Sequence, residues 1–464
     1  MIRATTSDAY RLMHYGALAF ARAERQGIRV DMDYVNSKMQ ELDEKIHSLK
    51  SELKSTNFWK HWVHRLRGKE PNINSNPQLA HYLYNVKKYT PAKTTESGKG
   101  STDEEALKAL NVPELNIILQ IRKLDKIKGT YLEPFKREAV KGYIHPTFNL
   151  HTVRTFRSSS DKPNFQNIPK RDKEAMQTTR KALYPRPGHQ LIEVDYSGLE
   201  FNINACYSED PEMIKYCKDP KSDPHGDLAK KIYMIDDFDK SIPGHSVLRS
   251  ATKNGFVFPE LYGSWYKACA QGLASDWGGL PTKGKWRKGK GIEVEEGRKL
   301  SDHLIEKGIK SFDEFTEHVK DVEDEFFNMF PTHKEYMEST YENYVKNGYV
   351  DMKTGFRCKG LMSKNNVLNY PIQGSAFHCL LWSFIELDRL MIQENWDTRL
   401  IGQIHDAIIF DVHPDELDYI LKTIKYVTCK QLPETWPWIV VPLDVDAELA
   451  PVDGSWADKK DYPI

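Results

Sequence analysis

The stretch from Leu191 to Asp210, LIEVDYSGLEFNINACYSED, decides how this chain folds. Leu191 to Val194 read as a buried strand that ends at Asp195. A helix follows almost at once, because Leu199, Ile203, Cys206 and Tyr207 recur at helical spacing. Ser197 and Glu200 have the S-x-x-E form of a capping box, which is the plain structural role for Glu200, as a turn or N-cap is for Asp195. The other role for Asp195 is chemical: a strand that ends in a carboxylate can hold a cation.

A second segment repeats the pattern. In LIGQIHDAIIFDV, Leu400 to Val412, two apolar strands are interrupted by His405-Asp406. This pair lacks the Gly or Asn that a tight hairpin prefers, so a plain turn explains it poorly. A carboxylate buried there would be costly unless paired or bound to metal. Asp195 and Asp406, 211 residues apart, can meet if both strands enter one sheet. Two carboxylates suit magnesium, which takes its remaining ligands from water and phosphate oxygens.

Around these strands the chain is mainly helical. Helical spacing runs from about Asp33 to Leu53 and from about Glu104 to Ala139, with Ser101-Thr102-Asp103 placed as a cap. Segments near 71–77 and 90–102 read as connections, and a Gly/Lys-rich loop covers 278–291. Two strand regions flanking a long helical insertion predict an α+β fold with a mainly antiparallel sheet.

Composition bounds the class. With 464 residues the chain exceeds one ordinary core, and 39% hydrophobic with 28% charged residues is globular. No apolar run is long enough to span a membrane, and the first residues show no secretory pattern, so the expected location is a cytoplasm. Six dispersed cysteines without a CxxC pair argue against disulfides and structural zinc. Lys plus Arg equals Asp plus Glu at 66 each, so any nucleic-acid affinity must be local. Residues 283–290 (KGKWRKGK) hold five basic side chains and no acid, and 122–141 hold seven basic against three acidic. Either run can equally be a solvated face.

Two further elements carry polar chemistry. In HSVLRSATKNGFVFPELYGSWY (His245 to Tyr266), Arg249 and Lys253 lie one helical turn apart, where a forked donor and a point charge can grip a triphosphate. In TFRSSSDKPNFQNIP (Thr155 to Pro169) and NYPIQGSA (Asn369 to Ala376), Arg157, Gln166, Asn167, Asn369 and Gln373 can reach sugars or minor-groove edges. Singly, each is ordinary surface, loop or cap chemistry.

Taken in order, these motifs resemble family A (DNA polymerase I-like) DNA polymerases of phage type. DYSGLE resembles DYSQIE, IHDAIIF resembles VHDELVF, TFRSSSDKPNFQNIP is similar to TGRLSSTDPNLQNIP, and NYPIQGSA to NAPMQGTAA. R-x3-K followed by YG resembles the fingers-helix motif, and STDEEAL (101–107) with KLDKIKGTYLEP (123–134) resembles the thumb. The resemblance implies a right-hand polymerase with an antiparallel palm sheet plus helical fingers and thumb. Its expected parts are an N-terminal segment 1–30 packing on the palm, a thumb 31–145, palm 146–210 and 350–464, and fingers 211–349 with a basic insertion near 270–306.

The resemblance also implies roles. Asp195, Asp406 and the carbonyl of Tyr196 would hold two magnesium ions, with manganese as substitute. His225, Arg249, Lys253, Phe258 and Tyr262 would bind the nucleotide, Lys253 also donating a proton to the leaving group. Glu200 would exclude a ribose 2′-hydroxyl; Arg157, Gln166, Asn167, Asn369, Gln373 and His405 would contact DNA. Implied partners are primer-template DNA, dNTPs and a separate exonuclease or processivity subunit, in a host cytoplasm if the gene is a phage's. Residues 19–31 (AFARAERQGIRVD) resemble the segment that opens the polymerase region, so no proofreading domain is expected within the chain. The D-x-E at Asp321 to Glu323 reads as a solvated helix face.

Three departures stand out. Lys253 to Tyr262 spans nine residues where the family has eight, so Phe256, Val257 and Phe258 compete for the aromatic position, with Phe258 preferred. The extra residue and Pro259, which would clash with the carbonyl of Gly255, predict a kink or bulge. Ala407 replaces an acid, and the segment from about Ala270 to Glu306 is long, its basic loop expected to contact template or downstream DNA. The competing class is a catalytically impaired, DNA-binding or accessory homologue, favoured by Ala407 and the irregular fingers motif. A single-subunit RNA polymerase is disfavoured by Glu200, and a two-metal nuclease by the scarcity of further carboxylates.

Overall fold

The computed structural model describes residues 4–95, 98–170, 172–277 and 285–464. The strand Gln190–Tyr196 is the centre of a five-stranded antiparallel sheet. In spatial order the strands are Arg399–Ile404, Ala407–Val412, Gln190–Tyr196, Val445–Leu449 and Lys460–Tyr462. Near-continuous burial of the central strand accounts for its unbroken rather than alternating apolar run. Helices Thr6–Gln26 and Lys364–Gln393 pack on the edge hairpin and on each other, and Leu199–Ser208 packs on the second of them.

The edge hairpin closes through His405 and Asp406 alone, since Ile404 pairs with Ala407. A tight turn is therefore made without Gly or Asn, contrary to the sequence expectation. His405 takes the left-handed φ of 52° that the turn requires. That conformation costs roughly 1–2 kcal/mol in a non-glycine residue, and the two paired strands impose it.

The chain forms two compact units. The first comprises the residues up to Glu41, Ile127–Pro220 and Phe330–Ile464; the second comprises Leu42–Lys126 and Lys221–Met329. Residues 31–145 thus divide between the units rather than forming one body. The helical expectations are met by Met32–Ser55, and by Glu104–Ala109 and Pro113–Lys126 followed by a π-helical turn Ile127–Leu132. Asp103 caps the second run by accepting from the backbone N–H of Ala106 at 2.8 Å.

Within the second unit the helix Pro243–Thr252 runs into a π-helical turn, Lys253–Val257, before Phe258–Leu261 resumes α geometry. A π turn absorbs one extra residue, and here the N–H of Phe258 donates to the carbonyl of Lys253, five residues back. The expected bulge takes this form. Of the basic loop, residues 278–284, including Lys283, lie outside the described residues. The rest is anchored by Trp286, which packs on Trp277 and Phe315 and leaves Lys285, Arg287, Lys288 and Lys290 exposed.

Candidate active site

In the first unit the register pairs Ala407 with Asp195, and the N–H of Tyr196 donates to the carbonyl of Asp406 at 3.3 Å. Asp195 and Asp406 therefore stand side by side at one end of two paired strands. The phenol of Tyr196 points the other way, into the core, where its hydroxyl meets Ser383 Oγ at 2.8 Å. Only its backbone is left to face the carboxylates.

Three more charged groups converge here. Arg157 reaches Asp406 Oδ1 through Nη2 at 3.5 Å and Glu200 Oε1 through Nη1 at 3.6 Å. Lys170 Nζ lies 2.9 Å from Asp195 Oδ2. Burial pushes the Asp195 carboxyl up; Lys170 opposes this and the neighbouring Asp406 adds to it. Two acids close enough to repel each other gain from a bound cation. Burial holds His405 below the usual histidine range, with Lys170 and Arg157 adding to it against the pull of Asp406.

The capping box expected of Ser197 and Glu200 is not formed. Gly198, at φ 61°, is the N-cap residue; Ser197 Oγ donates instead to Asp446 Oδ2 at 2.5 Å, and Glu200 turns toward Arg157. A left-handed N-cap leaves the serine hydroxyl pointing away from the third helical N–H, so a neighbouring strand captures it.

The DNA-facing candidates separate into two kinds. Gln166 is a support rather than a free reader: its amide donates to Ser158 Oγ and to Gln403 Oε1, both at 2.7 Å, and Gln403 in turn donates to the carbonyl of His405. This network braces the strained turn. Asn167 is exposed, and Asn369 and Gln373 lie half-buried one turn apart on the helix Lys364–Gln393. Next to Gln373, a Cβ on Gly374 would sit 2.5 Å from the carbonyl of Thr155, so only glycine lets this helix approach the loop that carries Arg157.

In the second unit His225, Arg249, Lys253, Phe258 and Tyr262 form another cluster. The rings of His225 and Phe258 are 6.0 Å apart, Lys253 lies 5.4 Å from the centroid of Phe258, and Phe258 stacks on Tyr262 at 6.2 Å. Phe256 and Val257 are fully buried. The π turn thus directs Phe258, and neither competitor, toward the cationic pair. Arg249 forks onto Asp223, Nε to Oδ2 at 2.7 Å and Nη2 to Oδ1 at 2.8 Å. Burial pushes His225 down to about 3, with Lys253 and Arg249 adding to it, so its imidazole is neutral at pH 7. Nearby, Glu323 accepts from the N–H of Tyr266 at 2.7 Å, so only Asp321 of the D-x-E pair is a solvated face.

Lys170, Asp223, Ser158 and Gln403 escaped the sequence reading. Each acts through a contact between segments distant in the chain or through a residue type with no spacing signature.

The donor set fits magnesium. Asp195 and Asp406 offer hard carboxylate oxygens side by side, and among the described residues no cluster of three or more His, Cys, Asp or Glu forms a complete metal cage. A cation held by two carboxylates must draw the rest of its shell from water and substrate.

This is the α+β fold of a right-hand polymerase, with helices packed on an antiparallel palm sheet. The POL domain of Pol1 from M. smegmatis, solved with DNA primer-template and dNTP, superposes with a TM-score of 0.75 at 24% identity, covering 96% of this chain and 70% of that one. The chain belongs to DNA polymerase family A, whose profile matches residues 38–278 and 311–458. The unmatched interval overlaps the segment read as an insertion. The thermostable DNA polymerase I of Thermus filiformis is 27% identical over 95% of this chain and 47% of its own length. DNA polymerase I of Lactococcus lactis subsp. lactis is 28% identical over 93% of this chain and 44% of its own. The chain spans less than half the length of these relatives. Among the described residues no helix is long and apolar enough to cross a membrane.

Proposed function

We propose that this protein is a template-directed DNA polymerase that adds deoxynucleotides to a primer 3′-hydroxyl and releases pyrophosphate, in DNA replication. The observation that carries the reading is the pairing of Ala407 with Asp195, which brings two sequence-distant carboxylates to one sheet end. Asp195, Asp406 and the Tyr196 carbonyl would hold two magnesium ions. When bound, these supply Lewis-acid activation of the hydroxyl and charge stabilisation at the departing phosphate.

The chain's own groups do the remainder. Arg249 and Lys253 bind the triphosphate, Arg249 exchanging Asp223 for phosphate oxygens, and Lys253 protonates the leaving pyrophosphate. Neutral His225 donates to a phosphate oxygen, and Phe258 with Tyr262 orients the nucleotide. Glu200, held by Arg157, fills the space a ribose 2′-hydroxyl would need. Arg157, Gln373 and His405 position the primer terminus. The partners are primer-template DNA and dNTPs.

The test is magnesium-dependent extension of a primed template by wild type and Asp406→Asn. Losing one of two metal-binding carboxylates should lower the rate by at least about a thousandfold, equivalent to about 4 kcal/mol of transition-state stabilisation. The thermal midpoint should be unchanged or raised. Retention of more than about a tenth of the rate would refute the assignment.

A further inference from the structure

Lys170 was not among the residues expected at the site, yet its ammonium lies 2.9 Å from Oδ2 of the Asp195 carboxylate. Phe165 and Ile168 are buried, and Pro169 precedes Lys170. Lysine is an ammonium at neutral pH, so the group facing Asp195 carries a positive charge.

Its surroundings make that charge consequential. On one side of Asp195 the paired position is Ala407, a methyl group; on the other it is Asp446, whose carboxylate is taken by Ser197. Glu193 has Arg180 and Lys459 as partners. The carboxylates able to attract divalent ions are Asp195, Asp406, Glu200 and Asp446, which keeps its charge although Ser197 donates to it, and against them stand Arg157 and Lys170. Among the described residues, four carboxylates against two cations leave about two net negative charges. That is little to draw two doubly charged ions out of water, and a nucleotide triphosphate carries the missing charge.

We propose that Lys170 is a positioning residue that holds Oδ2 of Asp195 in competition with divalent cations, so that the cations load together with the nucleotide rather than ahead of it. This rests on the two-carboxylate metal reading above. Because the Lys170 side chain is half exposed, at 49%, it can swing aside, and the competition is graded rather than absolute. Partly exposed pairs are worth up to about 1 kcal/mol, and repulsion between ammonium and cation adds to this, so removing the charge should tighten cation binding about five- to tenfold.

The experiment is a manganese titration of the full chain followed by the electron paramagnetic resonance signal of the free ion, with and without a dNTP. Without nucleotide, Lys170→Met and Lys170→Gln should each bind manganese about five- to tenfold more tightly than wild type, and Lys170→Arg should stay within about twofold. With dNTP the difference should shrink to less than about twofold, an outcome that a merely structural role for Lys170 would not produce. Thermal melts identify a misfolded variant, and the Gln and Met variants serve as replicates. Unchanged or weaker binding in both neutral variants would overturn the proposal while leaving the metal reading intact, provided Asp195→Asn abolishes the binding. Manganese binding that survives Asp195→Asn would overturn both.

Discussion

Glu193→Gln tests how the central strand that bears Asp195 is held. Glu193 and Arg180 are 2% and 1% exposed, and Nη1 of the arginine meets Oε2 of the glutamate at 2.8 Å. Trp456 Nε1 donates to the same oxygen at 3.0 Å, Lys459 makes a close contact with it, and the Arg180 guanidinium lies 4.3 Å over the Trp456 ring. Burial pushes the Glu193 carboxyl up, but Arg180, Lys459 and Lys170 outweigh it and hold it below the ordinary glutamate range. Removing one partner of such a pair leaves a buried, uncompensated guanidinium, which costs about 3–5 kcal/mol. The first unit has about 270 residues, so its unfolding entropy corresponds to roughly 0.6 kcal/mol per degree. The midpoint at pH 7 should therefore fall by about 5–9 °C in calorimetry, with the transition of this unit shifted. Because the folded carboxyl is depressed, its contribution is complete above the unfolded value of about 4.3 and is lost as pH falls through the folded value. The gap between variant and wild type should thus narrow below about pH 4.3. A fall of less than about 2 °C at pH 7, or a gap independent of pH, would refute the reasoning.

Two other substitutions should stabilise the protein. Glu260 is fully buried, accepts from Cys269 Sγ at 2.9 Å, and is pushed up to about 8 by burial with Glu323 adding to it. Its stabilising contribution is complete below the unfolded value of about 4.3 and is lost as pH rises toward 8. Glu260→Gln should flatten the decline of the thermal midpoint over that range and leave the variant more stable at pH 8; parallel pH profiles would count against it. His405→Gly should relieve the left-handed strain and raise stability by about 1 kcal/mol in denaturant titrations while slowing primer extension, and a loss of stability would show that the side chain matters more than the φ angle.

What lay open in the sequence was whatever local periodicity and residue type encode. The apolar runs around Asp195 and Asp406, the cap at Asp103, and the extra residue with Pro259 in the fingers motif each announced a strand, a helix start or a bulge, because backbone geometry responds to near neighbours. The ordered motifs pointed to the family for the same reason. Only the tertiary structure decided what those residues touch. That Ala407 pairs with Asp195 rather than a residue one step along, and that Ser197 leaves its helix for Asp446, depends on strand register. That Lys170 meets Asp195 and that Gln166 braces a turn through Gln403 depends on loops brought together at the sheet, and that Asp223 holds Arg249 depends on two helices packed on each other in the second unit. A polar side chain's partner is chosen by burial and distance in space, and neither is a property of its neighbours along the chain.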